Sequence, residues 1–274
     1  MSASVTTQPD PAHSADQLRE VQFETRGLTL TYQGKPGVAP VTALRDVDFT
    51  LRAGEVVAVI GPSGAGKSTL LRCLNGLLTP TSGSVLFRGA AVHSSPEHAR
   101  QVRTRVGMIF QHFGLVPRLD VLTNVLIGRA GQLPAERGLI YWFTDEERQL
   151  ALSALERVGI LDQWAKRPRE LSGGQQQRVA IARALCQAPL VLLADEAVSA
   201  LDPATARVVL EHAVRICRED GIAVVANLHS VGLAKAYGDR VVAFKDGALV
   251  FDGPPGELSG EVLAGVYGEH YAEF

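Results

Sequence analysis

Gly61-Pro62-Ser63-Gly64-Ala65-Gly66-Lys67-Ser68-Thr69 is the stretch on which the reading of this chain turns. Before it runs the apolar, valine-rich segment Glu55–Ile60, and from Lys67 to Asn75 the chain reads as a helix. A buried strand feeding a glycine-rich loop and then a helix is the setting of a phosphate-binding loop. Gly61, Gly64 and Gly66 allow a tight turn that aims backbone N–H groups inward, and Pro62, Ser63 and Ala65 complete the cradle. The helix behind it adds the positive end of its dipole. Lys67 is expected to meet the β- and γ-phosphates, Ser68 to offer a hydroxyl to Mg²⁺, and Thr69 to reach the α-phosphate. Alone, such a loop means a nucleoside triphosphate and nothing narrower.

A second element lies far downstream. Leu190–Ala194 reads as a buried strand, and the carboxylates Asp195 and Glu196 emerge at its C-terminal edge, where open α/β sheets bind ligands. Asp195 is expected to hold Mg²⁺ through water and Glu196 to polarise an attacking water. A third is Leu171-Ser172-Gly173-Gly174-Gln175, which opens a helix running to Gln187. Weaker candidates stand at strand ends. His229 follows the strand Ile222–Leu228, Gln111 follows Val106–Phe110, and Tyr32 ends Val21–Tyr32. Taken singly, each of these three reads as structural: a satisfied histidine, a surface glutamine, a core aromatic.

The surrounding chain is α/β. Val21–Tyr32 and Val41–Leu51 alternate as antiparallel strands, and Ser84–Arg88 is a further strand. From about Phe113 to Gln187 the character is helical. Thr144-Asp145-Glu146-Glu147 is a capping box, and Leu150, Leu152, Leu155 and Val158 follow at helical spacing up to Gly159. Strands then return. Asp202-Pro203 starts a helix to Glu219, and Asp246-Gly247 is a hairpin turn between the last two strands. Trp142 and Trp164 are assigned to packing.

Composition bounds the possibilities. At 274 residues the chain has room for one large domain with an inserted lobe. A net charge of −2 argues against nucleic acid as a partner. Cys73, Cys186 and Cys217 have no metal-ligand spacing and read as small buried hydrophobes. The longest apolar runs fall well short of the roughly 20 residues of a membrane span. The polar Met1–Glu20 has no apolar centre and reads as a disordered tail rather than a signal peptide.

Together these motifs, in this order, resemble the ATP-binding-cassette ATPases over about Val21 to Pro254. The resemblance implies a P-loop nucleotide-binding domain with an antiparallel β subdomain, a helical subdomain inserted at about 113–187 and a helical extension over 255–274. It implies that Tyr32 stacks on adenine, that Gln111 is the glutamine switch near the metal, and that His229 is the histidine switch. It implies that Ser172, Gly173, Gly174 and Gln175 close over ATP bound by a second copy in a head-to-tail dimer, joined by the loop Ser199-Ala200-Leu201-Asp202. ATP and Mg²⁺ are the implied ligands. Transmembrane permease subunits, and a periplasmic binding protein beyond them, are the implied partners at the cytoplasmic face of a bacterial inner membrane. Ala197 stands where the family usually has proline, which loosens the loop but removes no catalytic group.

Finer segments narrow the resemblance. Gly107–Gln111, Leu115–Leu119, Asn124–Arg129, Leu171–Arg178, Asn227–His229 and Val250–Gly253 look like the ATPases of bacterial phosphonate importers, with phosphite and hypophosphite as related substrates. Gly232 departs from the aspartate usual there. Rival readings weigh less. A DNA-repair cassette would carry a long heptad insertion before Ser172, a translation cassette would carry two cassettes, and a cassette serving a soluble phosphonate-degrading complex would co-purify with that enzyme.

Overall fold

Local pattern and long-range pairing meet first in two antiparallel strands, β1 (Val21–Tyr32) and β2 (Val41–Arg52). Their alternation sends Phe23, Leu28, Leu44, Phe49 and Leu51 into the interior. β4 (Ser82–Phe87) and β5 (Ala90–Ala91) extend them into a four-stranded sheet in the order β2-β1-β4-β5. The computed structural model describes residues 20–34, 39–134, 137 and 142–268. The expected tail, up to residue 19, and the end of the expected C-terminal extension lie outside the described residues.

The second sheet is mostly parallel. β3 (Val56–Ile60), β6 (Val106–Ile109), β7 (Val191–Asp195), β8 (Ala223–Asn227), β9 (Arg240–Lys245) and β10 (Ala248–Gly253) are arranged β10-β9-β3-β8-β7-β6. Only β10 runs antiparallel, joined to β9 through Asp246 and Gly247 at φ 50° and 83°. Two successive left-handed residues are what a type I′ two-residue hairpin turn requires.

Every residue of β3, β7 and β8 is buried, because the sheet is covered on both faces. Val57 and Val59 pack with Phe23, Leu44 and the helix α1 (Lys67–Leu74) on one side. Val56, Ala58 and Ile60 face the other side, towards α5 (Gly173–Cys186) and α6 (Pro203–Glu219). The remaining helices are α2 (Pro96–Arg105), α3 (Val121–Leu126), α4 (Asp145–Arg157), α7 (Val231–Tyr237) and α8 (Gly260–Tyr267). None of the described helices is long and apolar enough to cross a membrane.

Between β6 and β7 the described residues form helices and no strand. The capping box of α4 is made in full. Thr144 Oγ1 accepts from the Glu147 N–H at 3.3 Å, and Glu147 Oε2 accepts from the Thr144 N–H at 2.7 Å. Burial works to raise the Glu147 pKa, but the Thr144 N–H and Arg137, whose Nη2 lies 2.5 Å from Oε2, hold it low. The buried stripe of α4 is Ala151, Ala154, Leu155 and Val158. Leu150, expected on that stripe, is exposed instead. At about 100° per residue it stands well round the helix from Leu155, and the small Ala151 takes the inner position. Trp142 and Trp164, expected to pack, are 63% and 47% exposed. The three cysteines are all buried, as expected.

Candidate nucleotide site

Central strand β3 delivers the chain to Gly61, where the loop begins. Gly61 holds φ 142°, and a Cβ there would lie 2.2 Å from the Phe244 carbonyl oxygen of β9. Gly66 holds φ 105°, with a Cβ 2.4 Å from the Ala43 carbonyl oxygen. Both positions exclude any side chain on two grounds at once, conformation and space. The loop is therefore pressed against the strands beside it.

Lys67, the first residue of α1, is almost fully buried. Its Nζ donates to the carbonyl oxygens of Gly61 at 2.7 Å and Pro62 at 2.9 Å. Burial pulls its pKa down, while the charges of Glu196 and Asp195 oppose that shift. A desolvated ammonium at a helix N-terminus favours an anionic ligand.

Ser68 and Asp195 meet beside it. Ser68 Oγ donates to Asp195 Oδ1 at 2.6 Å. Asn227 Nδ2 donates to the same oxygen at 3.0 Å, and Arg72 Nη2 lies 3.8 Å from Asp195 Oδ2. Asn227 is a site residue that the sequence reading passed over. It faces Asp195 across the β7–β8 pairing, and its buried Oδ1 has no protein partner among the described residues. A lone amide closing an otherwise apolar strand was the signal available.

Glu196 follows Asp195 with φ 53°, a left-handed conformation that costs a non-glycine residue about 1 kcal/mol or more. The Ser199 N–H and hydroxyl both donate to its carbonyl oxygen, at 3.1 and 2.9 Å, and hold the turn. The turn aims the carboxylate back at the sheet end, where Oε1 lies 2.8 Å from His229 Nε2. Glu196 lines a cleft of about 480 Å³ together with Tyr32, Ser63, Lys67, Ser68 and Gly247. It also borders a wider groove of about 930 Å³ with Ser199, Leu201, Arg207 and His229. Tyr32 stands 42% exposed at the cleft mouth, its hydroxyl 3.4 Å from Thr69 Oγ1.

Other expected residues stand elsewhere. Gln111 is exposed just beyond β6 and does not line the cleft. Ser172 caps α5 through a reciprocal pair of bonds with Gln175, at 3.3 and 2.9 Å. The nearest neighbours of a Cβ on Gly173 and Gly174 are Leu201 at 3.5 Å and Thr205 at 2.7 Å, not the phosphate loop. Asp202 caps α6 by accepting from the Thr205 N–H at 3.0 Å, and the Thr205 side chain together with that N–H holds its carboxyl below the usual range.

A buried cation and a helix N-terminus suit phosphates, and two adjacent carboxylates stand beside them. One is tied to a hydroxyl, the other to an imidazole. On a mostly parallel sheet behind a glycine loop, this arrangement is the setting of a P-loop nucleotide site. The ABC transporter family model matches residues 44–199. The phosphonates import ATP-binding protein PhnC of Bdellovibrio bacteriovorus is 50% identical over 231 residues, 84% of this chain and 88% of the relative. The protein of the same name from Thiobacillus denitrificans is 48% identical over 225 residues, 82% of this chain and 86% of the relative. The dimeric structure of MJ0796, a bacterial ABC transporter cassette, superposes with a TM-score of 0.73 at 33% identity, over 85% of this chain and 98% of that one. A second structure of that cassette, in a post-hydrolysis state with ADP and Pi, gives the same score, identity and coverage. The chain belongs to the ABC transporter ATPases.

Proposed function

We propose that this chain is the ATP-hydrolysing subunit of an importer for phosphonates or a closely related phosphorus oxyanion. The hydrolytic part rests on one observation: the phosphate loop and Glu196 line a single cleft, and Asp195 is tied to that loop by its bond to Ser68, although 127 residues separate the two. The substrate part rests on the relatives, named for phosphonate import, at 48% to 50% identity.

In this reading Lys67 leaves the Gly61 and Pro62 carbonyls to meet the β- and γ-phosphates, and the loop N–H groups hold the rest of the chain of phosphates. Tyr32 stacks on the base. Mg²⁺ suits Ser68 Oγ and Asp195, two hard oxygen donors already in contact, and would supply charge to neutralise the phosphates. Glu196 takes the proton from the attacking water, and His229 orients that carboxylate. Gln111, exposed beyond β6, would join only when the helical region swings in.

Ser172, Gly173, Gly174 and Gln175 act on the partner's ATP. Their position beside Leu201 and Thr205, away from their own loop, supports an arrangement in which a second copy binds head to tail. The exposed helix N-terminus of α5 then faces the partner's γ-phosphate, with Asp202 holding the adjoining loop. Hydrolysis reopens the pair and moves permease subunits in the membrane, which places the chain at the cytoplasmic face. A periplasmic binding protein supplies the substrate from the far side.

The test is reconstitution with a phosphonate permease and its binding protein from the same cell. ATP turnover should rise when the binding protein carries a phosphonate. Stimulation by phosphite or hypophosphite alone would shift the substrate within the class. Full phosphonate uptake in cells lacking this chain and any second copy of it would remove the assignment.

A further inference from the structure

We infer that Tyr267, on the C-terminal helix α8, is a positioning residue of the nucleotide site that anchors the root of the phosphate loop. The inference rests on the ATP-site reading above. The Gly61 N–H donates to Tyr267 Oη at 2.9 Å, across 206 residues of sequence. The sequence alone reads this helix only as part of the C-terminal helical extension over 255–274.

Three observations make the contact more than incidental. First, α8 is docked firmly. Its Leu263 and Val266, with Leu258 just before it, are buried in the main core, and Lys245 Nζ donates to the Gly265 carbonyl at 2.6 Å. Second, Gly61 has little freedom, since it presses on β9 at Phe244, the strand that Lys245 ends. Strand β9, helix α8 and the loop root are thus fastened to one another. Third, Gly61 is held at both ends. Its carbonyl oxygen accepts from Lys67 Nζ, and its N–H is taken by Tyr267. Burial pushes the Tyr267 phenol up, opposed by the Gly61 N–H, so the hydroxyl is neutral at working pH.

The two ties have different fates. When Lys67 turns to a phosphate, the Gly61 carbonyl loses its ammonium partner. The Tyr267 tie remains and carries the placement of the loop. Removing the hydroxyl therefore harms the nucleotide-bound state more than the free one, and such a difference appears as lost affinity.

The experiment compares wild type, Tyr267→Phe and Lys67→Ala as full-length chains, titrated with a fluorescent ATP analogue and Mg²⁺. Tyr267→Phe keeps the ring and its packing. Its Kd should rise roughly three- to tenfold, the effect of one backbone hydrogen bond. Its nucleotide-free melting temperature should fall by only a few degrees, about what one lost hydrogen bond costs, while the gain in melting temperature with MgATP shrinks. Amide exchange over residues 61–67 should quicken in the bound state. A variant that melts lower in both states with unchanged Kd would show a purely structural tyrosine and overturn the inference. Unchanged Kd with unchanged melting would overturn it as well. The Lys67→Ala arm separates the failures: undiminished binding there would sink the site itself, whereas lost binding there with wild-type Kd in Tyr267→Phe would sink only the role of Tyr267.

Discussion

Ser68 and Asp195 form a 2.6 Å hydrogen bond between the first turn of α1 and the last residue of β7. That bond joins the phosphate-binding half of the site to the acidic half. It depends on β3 and β7 lying parallel on either side of β8 in one sheet, so that their carboxyl ends open on the same crevice.

Lys67 is the site's principal cation, buried and held by two backbone carbonyls. Lys67→Ala should lower MgATP affinity and turnover by about two orders of magnitude or more. The fold should survive, because alanine suits the first turn of a helix. Equilibrium titration alongside circular dichroism checks both halves of the expectation.

Glu196 is poised by an unusual backbone and by His229. Glu196→Gln preserves size and still accepts from His229, but it cannot take a proton. ATP should bind while turnover falls roughly a hundredfold or further, and the variant should collect as an ATP-bound dimer on size exclusion. Near-normal turnover would move the base elsewhere, with His229 the next candidate.

Ser172→Arg probes the partner's site. Binding by the separate subunit should stay close to wild type, since the loop and Ser172 are apart within one chain, and hydrolysis should stop. Mixing it with Lys67→Ala should restore activity. One site of the mixed dimer then carries both lesions and the other is built of unaltered elements. ATPase rates across mixing ratios give the answer. Rates that only average the two parents, with subunit exchange demonstrated, would place each site within one chain.

The thiols supply a pH prediction. Burial pushes Cys73 and Cys217 up to about 12 and Cys186 up to about 11, from an ordinary 9.0. At pH 8 none should react with iodoacetamide until the protein is unfolded. The stability tied to these thiols is fully present below pH 9. It is lost as pH climbs towards 11 to 12, because the unfolded chain ionises first. Each thiol then contributes a slope of about 1.4 kcal/mol per pH unit. Urea midpoints at pH 8, 9 and 10 measure it, and a variant with all three changed to alanine should show the shallower fall.

What could be read from residues alone was whatever a short stretch decides. The loop Gly61–Thr69 announces itself because phosphate cradling needs glycine, lysine and a hydroxyl at adjacent positions. The cap at Thr144, the turn at Asp246-Gly247 and the buried run of β3 are equally local, set by backbone conformation and side-chain period within a few residues. The α/β class followed from alternating strand and helix signals. Tertiary structure decided the rest, because side chains meet through sheet register and helix docking, and neither is written in any one segment. Asn227 becomes part of the site only because β8 lies beside β7 in the register that sets it against Asp195. Leu150 turns outward because Ala151, Ala154 and Leu155 occupy the inner face of α4. Tyr267 reaches Gly61 only because α8 folds back onto β9, a contact across 206 residues that no motif spacing encodes. The phosphate loop was thus legible in local sequence, while the contacts that tie it to distant strands and helices belong to the packed fold.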